Sequence, residues 1–506
     1  MPANADHLRF ILGLKLKHER LERGLSLKQV AEAAGLSISY LSEIEKGRKY
    51  PKADKVLDLA NALDVPFDDL VSLRVGQKLS PLKELFSSHL IQEFPFEMFG
   101  LEQQDFFGLI TEEPGKVGAL MQTFVEIGQM YNVSVEHFLF AALRSYQQMH
   151  NNYFPDLEEA AADFRKANDW DAPIGESRLA NHLREVFNYL LDYETLPADA
   201  DLQSFRSVFR DGEQPVLYIN GELLPEQRAF VLAREIGFRV LDLKERPTTS
   251  SWIRAESFDQ VLNNFKASYF AGALLIDRTL FREDVASFFD NEQWKPDALE
   301  QLVERHRATP EMVFYRLTEL LPELFNLEDI FFMRFFNERE TDYTVMNKVL
   351  NLSEVPIPHG IGMDEHHCRR WPALTLLKQL RLQQSNGSAH QHPSALAQRS
   401  HFMGQDTDYF VMSMARPLSL SPNTNSCVSI GLRMGKQFKR TVKFWNDDAL
   451  ASRRVHLTCE RCPLSPAECR ERVVPASIYE QRIEEQQKQE ALDRLFKQAL
   501  PADAST

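Results

Sequence analysis

The stretch that most constrains this chain is residues 8–73. Helix starts and helix stops follow one another there so closely that only short helices fit between them. Leu8, Ile11, Leu12 and Leu16 recur at helical spacing towards Leu21, and Gly24 stops the run. Ser26 caps a helix over residues 27–33 with Gln29 at the capping-box position, and Gly35 supplies a tight turn. Ser37 caps the next helix, which runs to Lys46 and stops at Gly47. Pro51 and Lys52 open a fourth, with Val56, Leu57, Leu59, Ala60 and Leu63 on its inner face, and Pro66 opens a fifth that ends near Leu70. Locking the second and third helices together requires Val30, Ala31, Leu41 and Ile44 to face inward. Ile38, Ser39, Ser42 and Glu43 then point outward.

Two short helices joined by a glycine turn make a helix-turn-helix. The residues Ser26-Leu27-Lys28-Gln29-Val30-Ala31, Gly35-Leu36-Ser37, Tyr40 to Gly47 and Pro51 closely resemble the Cro/repressor-type domain of the XRE family. That resemblance implies double-stranded DNA as partner, bound as a homodimer because such modules read paired half-sites. Charge bears on this. The whole chain carries 58 Lys/Arg against 73 Asp/Glu, a net charge of −15, which by itself argues against nucleic acid. Residues 8–55, however, hold eleven Lys/Arg against six Asp/Glu, leaving about −20 for the rest. Ile38, Ser39, Ser42 and Glu43 are expected at base edges, and Lys28, Lys46, Arg48 and Lys49 at phosphates.

Other classes drop out on composition. No run of about 18 apolar residues is present to span a membrane, and Met1–Lys17 lacks the apolar stretch of a signal peptide. Five cysteines in 506 residues are too few for a disulfide scaffold, so the expected location is the cytoplasm. Residues 77–200 read as a helical connector, with helices over 120–149, 157–164 and 179–191 and a core stripe of Phe124, Tyr131, Phe138, Phe140 and Tyr146.

Residues 200–330 contain a short strand at 216–219, an Asn220-Gly221 turn and a helix opened by Pro225. With the stretch Ser268 to Leu275, they resemble the ImmA/IrrE metallopeptidase-like domain, whose active members carry His-Glu-x-x-His on that helix. This chain has Arg234 and Phe238 in place of the histidines and Lys266 in place of the acidic third ligand. Neither a cation nor a phenyl ring ligates zinc. The domain is therefore expected to be degenerate and not an enzyme, with Glu235 left as a surface or capping residue. The competing reading is a zinc-dependent ImmA-like peptidase acting on a repressor.

Residues 331–475 read as an α+β sensor domain, with strands at 331–336, 409–414, 427–432 and 441–444. Cys459-x-x-Cys462 and Cys469, with Cys368 as a fourth, form a candidate metal site suited to zinc or an iron–sulfur cluster. Arg369, Arg370, Arg461 and Arg470 are expected to lower the thiol pKa values. Cys427 reads as a core thiol. Residues 476–506 make a polar helix and tail.

The order of parts is multidomain: an all-α helix-turn-helix, a helical connector, an α+β degenerate peptidase-like domain and an α+β regulatory domain. It resembles the short-chain fatty acyl transcriptional regulators. The resemblance implies control of carbon or fatty-acid genes, an acyl-CoA-like effector and a [4Fe–4S] cluster. Arg369, Arg370 and Trp371 could pair a phosphate and stack an adenine, or pack the cysteine loop.

Overall fold

The computed structural model describes residues 5–72, 135–249, 257–341, 343–358, 365–386 and 394–497. The chain divides into two compact units, Met1–Tyr146 with Arg254–Leu262 and the remainder.

The first unit contains α1 (Ala5–Glu22), α2 (Leu27–Ala33), α3 (Ile38–Glu45), α4 (Ala53–Leu63) and α5 (Phe67–Val71). The starts are local chemistry. Ser26 and Gln29 form a reciprocal capping box at α2, and the Ser37 hydroxyl accepts from Tyr40 N at 3.1 Å at α3. Gly35 between them has φ of +63°, which an L side chain rarely adopts. Leu12, Leu16, Val30, Ala31, Leu41, Ile44, Val56, Leu59 and Leu63 make one core. Leu57, expected inward, is 49% exposed, because a step of 100° per residue turns it off the Val56, Leu59, Leu63 stripe.

Two tertiary devices tighten this packing. A Cβ at Gly13 of α1 would lie 2.4 Å from Ile44 O, so α1 crosses the end of α3 at glycine-only distance. The Arg20 guanidinium donates to both Glu45 carboxylate oxygens, at 2.7 and 2.8 Å, and both residues are buried. Of the predicted connector helix at 120–149, the described part is α6 (Val135–Met149). Phe124 and Tyr131 lie outside the described residues.

The second unit begins with α7 (Pro155–Asn168) and α8 (Glu176–Glu185). The expected helix over 179–191 stops at Glu185, and Leu190–Asp192 is instead strand β1. Its N–H and C=O groups find partners in a sheet ordered β1-β3-β2, parallel to β3 (Val216–Ile219), with β2 (Ser207–Arg210) antiparallel on the other side of β3. After α9 (Thr195–Ala198), β2 and β3 come α10 (Pro225–Val240), α11 (Phe258–Leu275), α12 (Arg278–Phe289), α13 (Pro296–Arg305) and α14 (Pro310–Phe325). At the centre, buried Arg316 of α14 bridges Glu158 and Glu319. Burial raises the Glu319 carboxyl to about 7, partly opposed by Arg316.

A six-stranded sheet of order β5-β4-β8-β7-β6-β9 follows, built from β4 (Ile330–Glu338), β5 (Thr344–Asn351), β6 (Ser394–Phe402), β7 (Thr407–Pro417), β8 (Thr424–Arg433) and β9 (Ala451–Val455). One face is closed by α15 (Pro372–Ser385): Phe331, Met333, Phe335, Val411 and Cys427 pack with Leu376, Leu377 and Leu380. Alternation turns Phe332 and Arg334 to the opposite face, where the Phe332 ring meets Tyr315 of α14 at 5.5 Å. The strand expected at 441–444 is absent. Thr441 ends α16 (Lys436–Thr441), and residues 443–446 form a 3-10 turn. Phe438 and Val442 sit four apart on one buried side, and Phe438 and Phe444 both pack on Phe410. The predicted tail helix is α17 (Ala476–Lys497).

Candidate functional site

The helix-turn-helix presents α3 with Ile38 and Ser39 exposed and Ser42 and Glu43 half-buried. Lys28, Lys46 and Lys49 are exposed around it. Lys28 lies 3.9 Å from Glu32, a pair too solvated to hold the lysine in place. Arg48 and Glu43 pair with each other at 3.4 Å. The Glu43 carbonyl also accepts from Arg48 N and Lys49 N, so the basic turn after α3 is folded back on that residue. Lys49 Nζ lies 5.6 Å above the Tyr40 ring. The expected DNA-facing residues thus share one neighbourhood, formed by α3, the turn after it and the start of α2.

The peptidase-like helix α10 corrects one expectation. Glu235 is neither at the surface nor a cap. It is 1% exposed, and a buried carboxylate requires partners. Arg246 supplies a two-pronged ion pair, with Nη2 at 2.6 Å from Oε2, and the Tyr189 hydroxyl donates to Oε1 at 2.6 Å. Arg239 Nε in turn donates to the Tyr189 hydroxyl. The Arg246 guanidinium is sandwiched between the rings of Phe209 and Phe238, 3.6 and 4.2 Å from their centroids. Phe238, at a zinc-ligand position in the family resembled, here supports a cation. Arg234, at the other, donates weakly to Ser207 Oγ and Asn264 Oδ1, and burial lowers its pKa to about 10. Lys266 is half-buried on α11.

A second cationic group was missed in the sequence. Arg206, Arg334 of β4 and Arg416 of β7 lie within electrostatic reach of one another, Lys348 of β5 lies near Arg334, and Arg234 lies near Arg206. Glu311 is the paired carboxylate, accepting from Arg416 at 2.9 Å and from Ser426 Oγ at 3.2 Å. Burial opposes the Glu311 charge, but Arg416 outweighs it and holds the carboxyl at about 2. Desolvation and Arg334 push the Lys348 ammonium down to about 7, although its side chain still reaches solvent. Among the described residues, no acceptor meets the Arg206 guanidinium. Cations outnumber carboxylates here, which is chemistry suited to an anion. The available signal was an arginine breaking an apolar strand, Phe331-Phe332-Met333-Arg334-Phe335.

The cysteines converge by backbone pairing. Cys368 N donates to Leu457 O at 3.2 Å and Cys459 N donates to His366 O at 2.7 Å, which sets Cys368 beside the Cys-x-x-Cys turn. Cys462 and Cys469 pack together with Leu464 and Met403. All four are free thiols and buried. For Cys368, Cys462 and Cys469 the expected lowering of the thiol pKa does not occur: burial raises Cys368 to about 12 and also raises Cys462 and Cys469, outweighing Arg472 and Arg370. Among the described residues, no three His, Cys, Asp or Glu side chains stand at metal-holding spacing. Sulfur donors as such are the chemistry of zinc and iron–sulfur ligation, and all four are shielded from water.

Arg369 and Arg370 are half-buried beside these thiols. Trp371 is 1% exposed, donates from Nε1 to His456 O at 2.9 Å and packs on His367, Phe335 and Phe402. Its role is to pack the cysteine loop. An indole with both faces covered cannot stack an adenine.

Comparison with known proteins agrees with two of these regions. Residues 16–70 match the family model described as "Helix-turn-helix", and residues 194–318 match "IrrE N-terminal-like domain". Transcriptional regulator ClgR of Mycobacterium tuberculosis is 32% identical over 78 residues, spanning 15% of this chain and 69% of that protein. HTH-type transcriptional regulator YazB of Bacillus subtilis is 35% identical over 60 residues, 12% of this chain and 87% of that one. HTH-type transcriptional regulator SutR of Escherichia coli is 36% identical over 67 residues, 13% and 38%. A solved Mycobacterium tuberculosis transcriptional regulator aligns with a TM-score of 0.47 at 18% identity, covering 67% of this chain and 93% of that one. No helix among the described residues is long and apolar enough to cross a membrane.

Proposed function

The chain belongs to the helix-turn-helix transcriptional regulators, and on that premise we propose that it binds double-stranded DNA as a cytoplasmic homodimer to control genes of carbon or short-chain fatty-acid metabolism. The observation that carries the reading is the exposed face of α3 ringed by Lys28, Lys46 and Lys49, in a segment far more basic than the rest of the chain. Ser39 and Ser42 face base edges, and the lysines and Arg48 hold phosphates. The test is a salt titration on a duplex that the protein selects from a random-sequence library. Affinity falls steeply with salt, and Lys49→Ala reduces the log–log slope by about 0.9. A slope near zero in the wild type sinks the assignment.

The effector in this reading is an acyl-CoA-like anion. The cationic group of Arg206, Arg334, Lys348 and Arg416 supports it, since phosphates pair with guanidinium forks. The peptidase-like domain serves as a scaffold without proteolysis, because Arg234 and Phe238 offer no zinc ligands. Cys368, Cys459, Cys462 and Cys469 would hold a [4Fe–4S] cluster, or zinc in its place. Bound iron–sulfur supplies electron-transfer chemistry, whereas zinc supplies a redox-silent crosslink. The chain's own contribution is to bury the four thiols and to pair the backbone at Cys368 with that beside Cys459. Anaerobic purification separates the two: a brown, iron-containing protein supports the cluster, and a colourless one with a zinc ion per chain supports zinc.

A further inference from the structure

The Arg246–Glu235 pair is built from two unlike sources. The carboxylate, the Tyr189 hydroxyl that steadies it and the Phe209 and Phe238 rings belong to the framework of the peptidase-like domain: α10, β2 and the residue preceding β1. The arginine arrives on the segment after α10. That segment runs along the outer edge of β2, the last strand in the order β1-β3-β2. Phe209 N donates to Thr248 O at 2.8 Å, and Val208 bridges Thr249 in antiparallel register. An edge strand is where an extended peptide adds by backbone pairing, with specificity supplied by side-chain pockets. Here the pocket offers a guanidinium two aromatic rings and, at its end, a carboxylate that takes both terminal nitrogens, while Nε is buried without an acceptor among the described residues.

The segment invests little else in the fold. Lys244, Glu245 and Thr248 are exposed, and Arg246 is its main buried contribution. Besides its pairing with β2, the segment is held at its start, where Leu243 N donates to Phe238 O at 3.0 Å, and at Glu245, whose carbonyl accepts from Asn263 Nδ2 at 2.9 Å.

We infer that this cleft is an arginine-recognition site for extended peptides, filled in this chain by its own residues 244–249. When that segment lifts, the arginine of a partner's extended strand takes the same place: its guanidinium between Phe209 and Phe238 and on Glu235, its backbone on β2. Tethering gives the intramolecular segment a high effective concentration, so a peptide in solution competes poorly until Arg246 is removed.

The test uses the full chain and a fluorescent, end-capped peptide Lys-Glu-Arg-Pro-Thr-Thr, the sequence of residues 244–249. Arg246→Ala binds it saturably, and wild type shows no binding over the same range. Replacing the peptide's arginine with alanine, or adding Glu235→Gln to the protein, weakens binding by about tenfold or more. Failure of a natively melting Arg246→Ala to bind the peptide overturns the proposal, as does binding that ignores the peptide's arginine. If Arg246→Ala does not fold at working temperature, Arg246→Lys takes its place, since it keeps the charge but loses the fork. N-acetyl-arginine amide then raises the melting temperature of that variant and not of wild type. Equal or absent shifts in both proteins overturn the inference.

Discussion

Two bidentate arginine–glutamate pairs do different work: Arg20 grips Glu45 through Nε and Nη2, and Arg246 grips Glu235 through Nη1 and Nη2. In the helix-turn-helix, Arg20 reaches from α1 to the end of α3 among aliphatic side chains. The approach is so close that Gly13 has no room for a Cβ. Both partners belong to the framework, so the pair is a lock that aims the recognition helix. In the peptidase-like domain, only the carboxylate belongs to the framework. The cation sits between aromatic rings on an edge-strand segment whose Lys244, Glu245 and Thr248 are exposed. The same ion pair is a lock where both ends are packed, and an occupied binding site where one end can leave.

The largest expected effect separates these roles. Glu45→Ala strands a buried guanidinium and costs about 3–5 kcal/mol, unfolding the helix-turn-helix and abolishing DNA binding. Arg246→Ala costs less, because Glu235 keeps its Tyr189 hydrogen bond and its neighbouring segment can open to water. Equal losses in thermal melts would erase the distinction.

A third pair, Arg416–Glu311, extends the comparison through pH. The Glu311 carboxyl stands at about 2 against an ordinary 4.5, so the unfolded chain binds the proton more readily. Its contribution is therefore complete above pH 4.5 and is lost as pH falls towards 2. Urea midpoints followed through this window fall in wild type, and Arg416→Met flattens that step. An unchanged profile in the variant would remove the ion pair from the account.

The closeness of the lock is tested by Gly13→Ala, whose methyl carbon must displace the backbone at Ile44. It lowers the stability of the helix-turn-helix by about 1–3 kcal/mol, despite alanine's better helix propensity. A gain in melting temperature would show that α1 and α3 can part freely. Smallest is Ser26→Ala, which removes the α2 cap and costs about 1 kcal/mol in the same assay, marking how much of this domain is local rather than locked.

The legibility of the chain follows the same divide. The five N-terminal helices were readable because caps, stops and apolar stripes act over three or four residues. Leu57 is the exception, since it lies one helical step off the buried stripe. The strand at Leu190–Asp192 was unreadable: its three residues carry no period, and its partner, β3, lies 26 residues on. Residues 441–444 misled by their β-branched and aromatic content, while the helical spacing of Phe438 and Val442 and the pull of Phe410 decided the outcome. Replacement of the zinc ligands by Arg234 and Phe238 was visible in the sequence. What fills the resulting cleft was not.

Local sequence determined where the N-terminal helices begin and end and which N-terminal segment is basic. Tertiary structure alone decided which charges are buried, and against what. An ion pair depends on distance in space, so Arg20 with Glu45, Arg416 with Glu311, and Arg246 with Glu235 exist only once separate elements have packed.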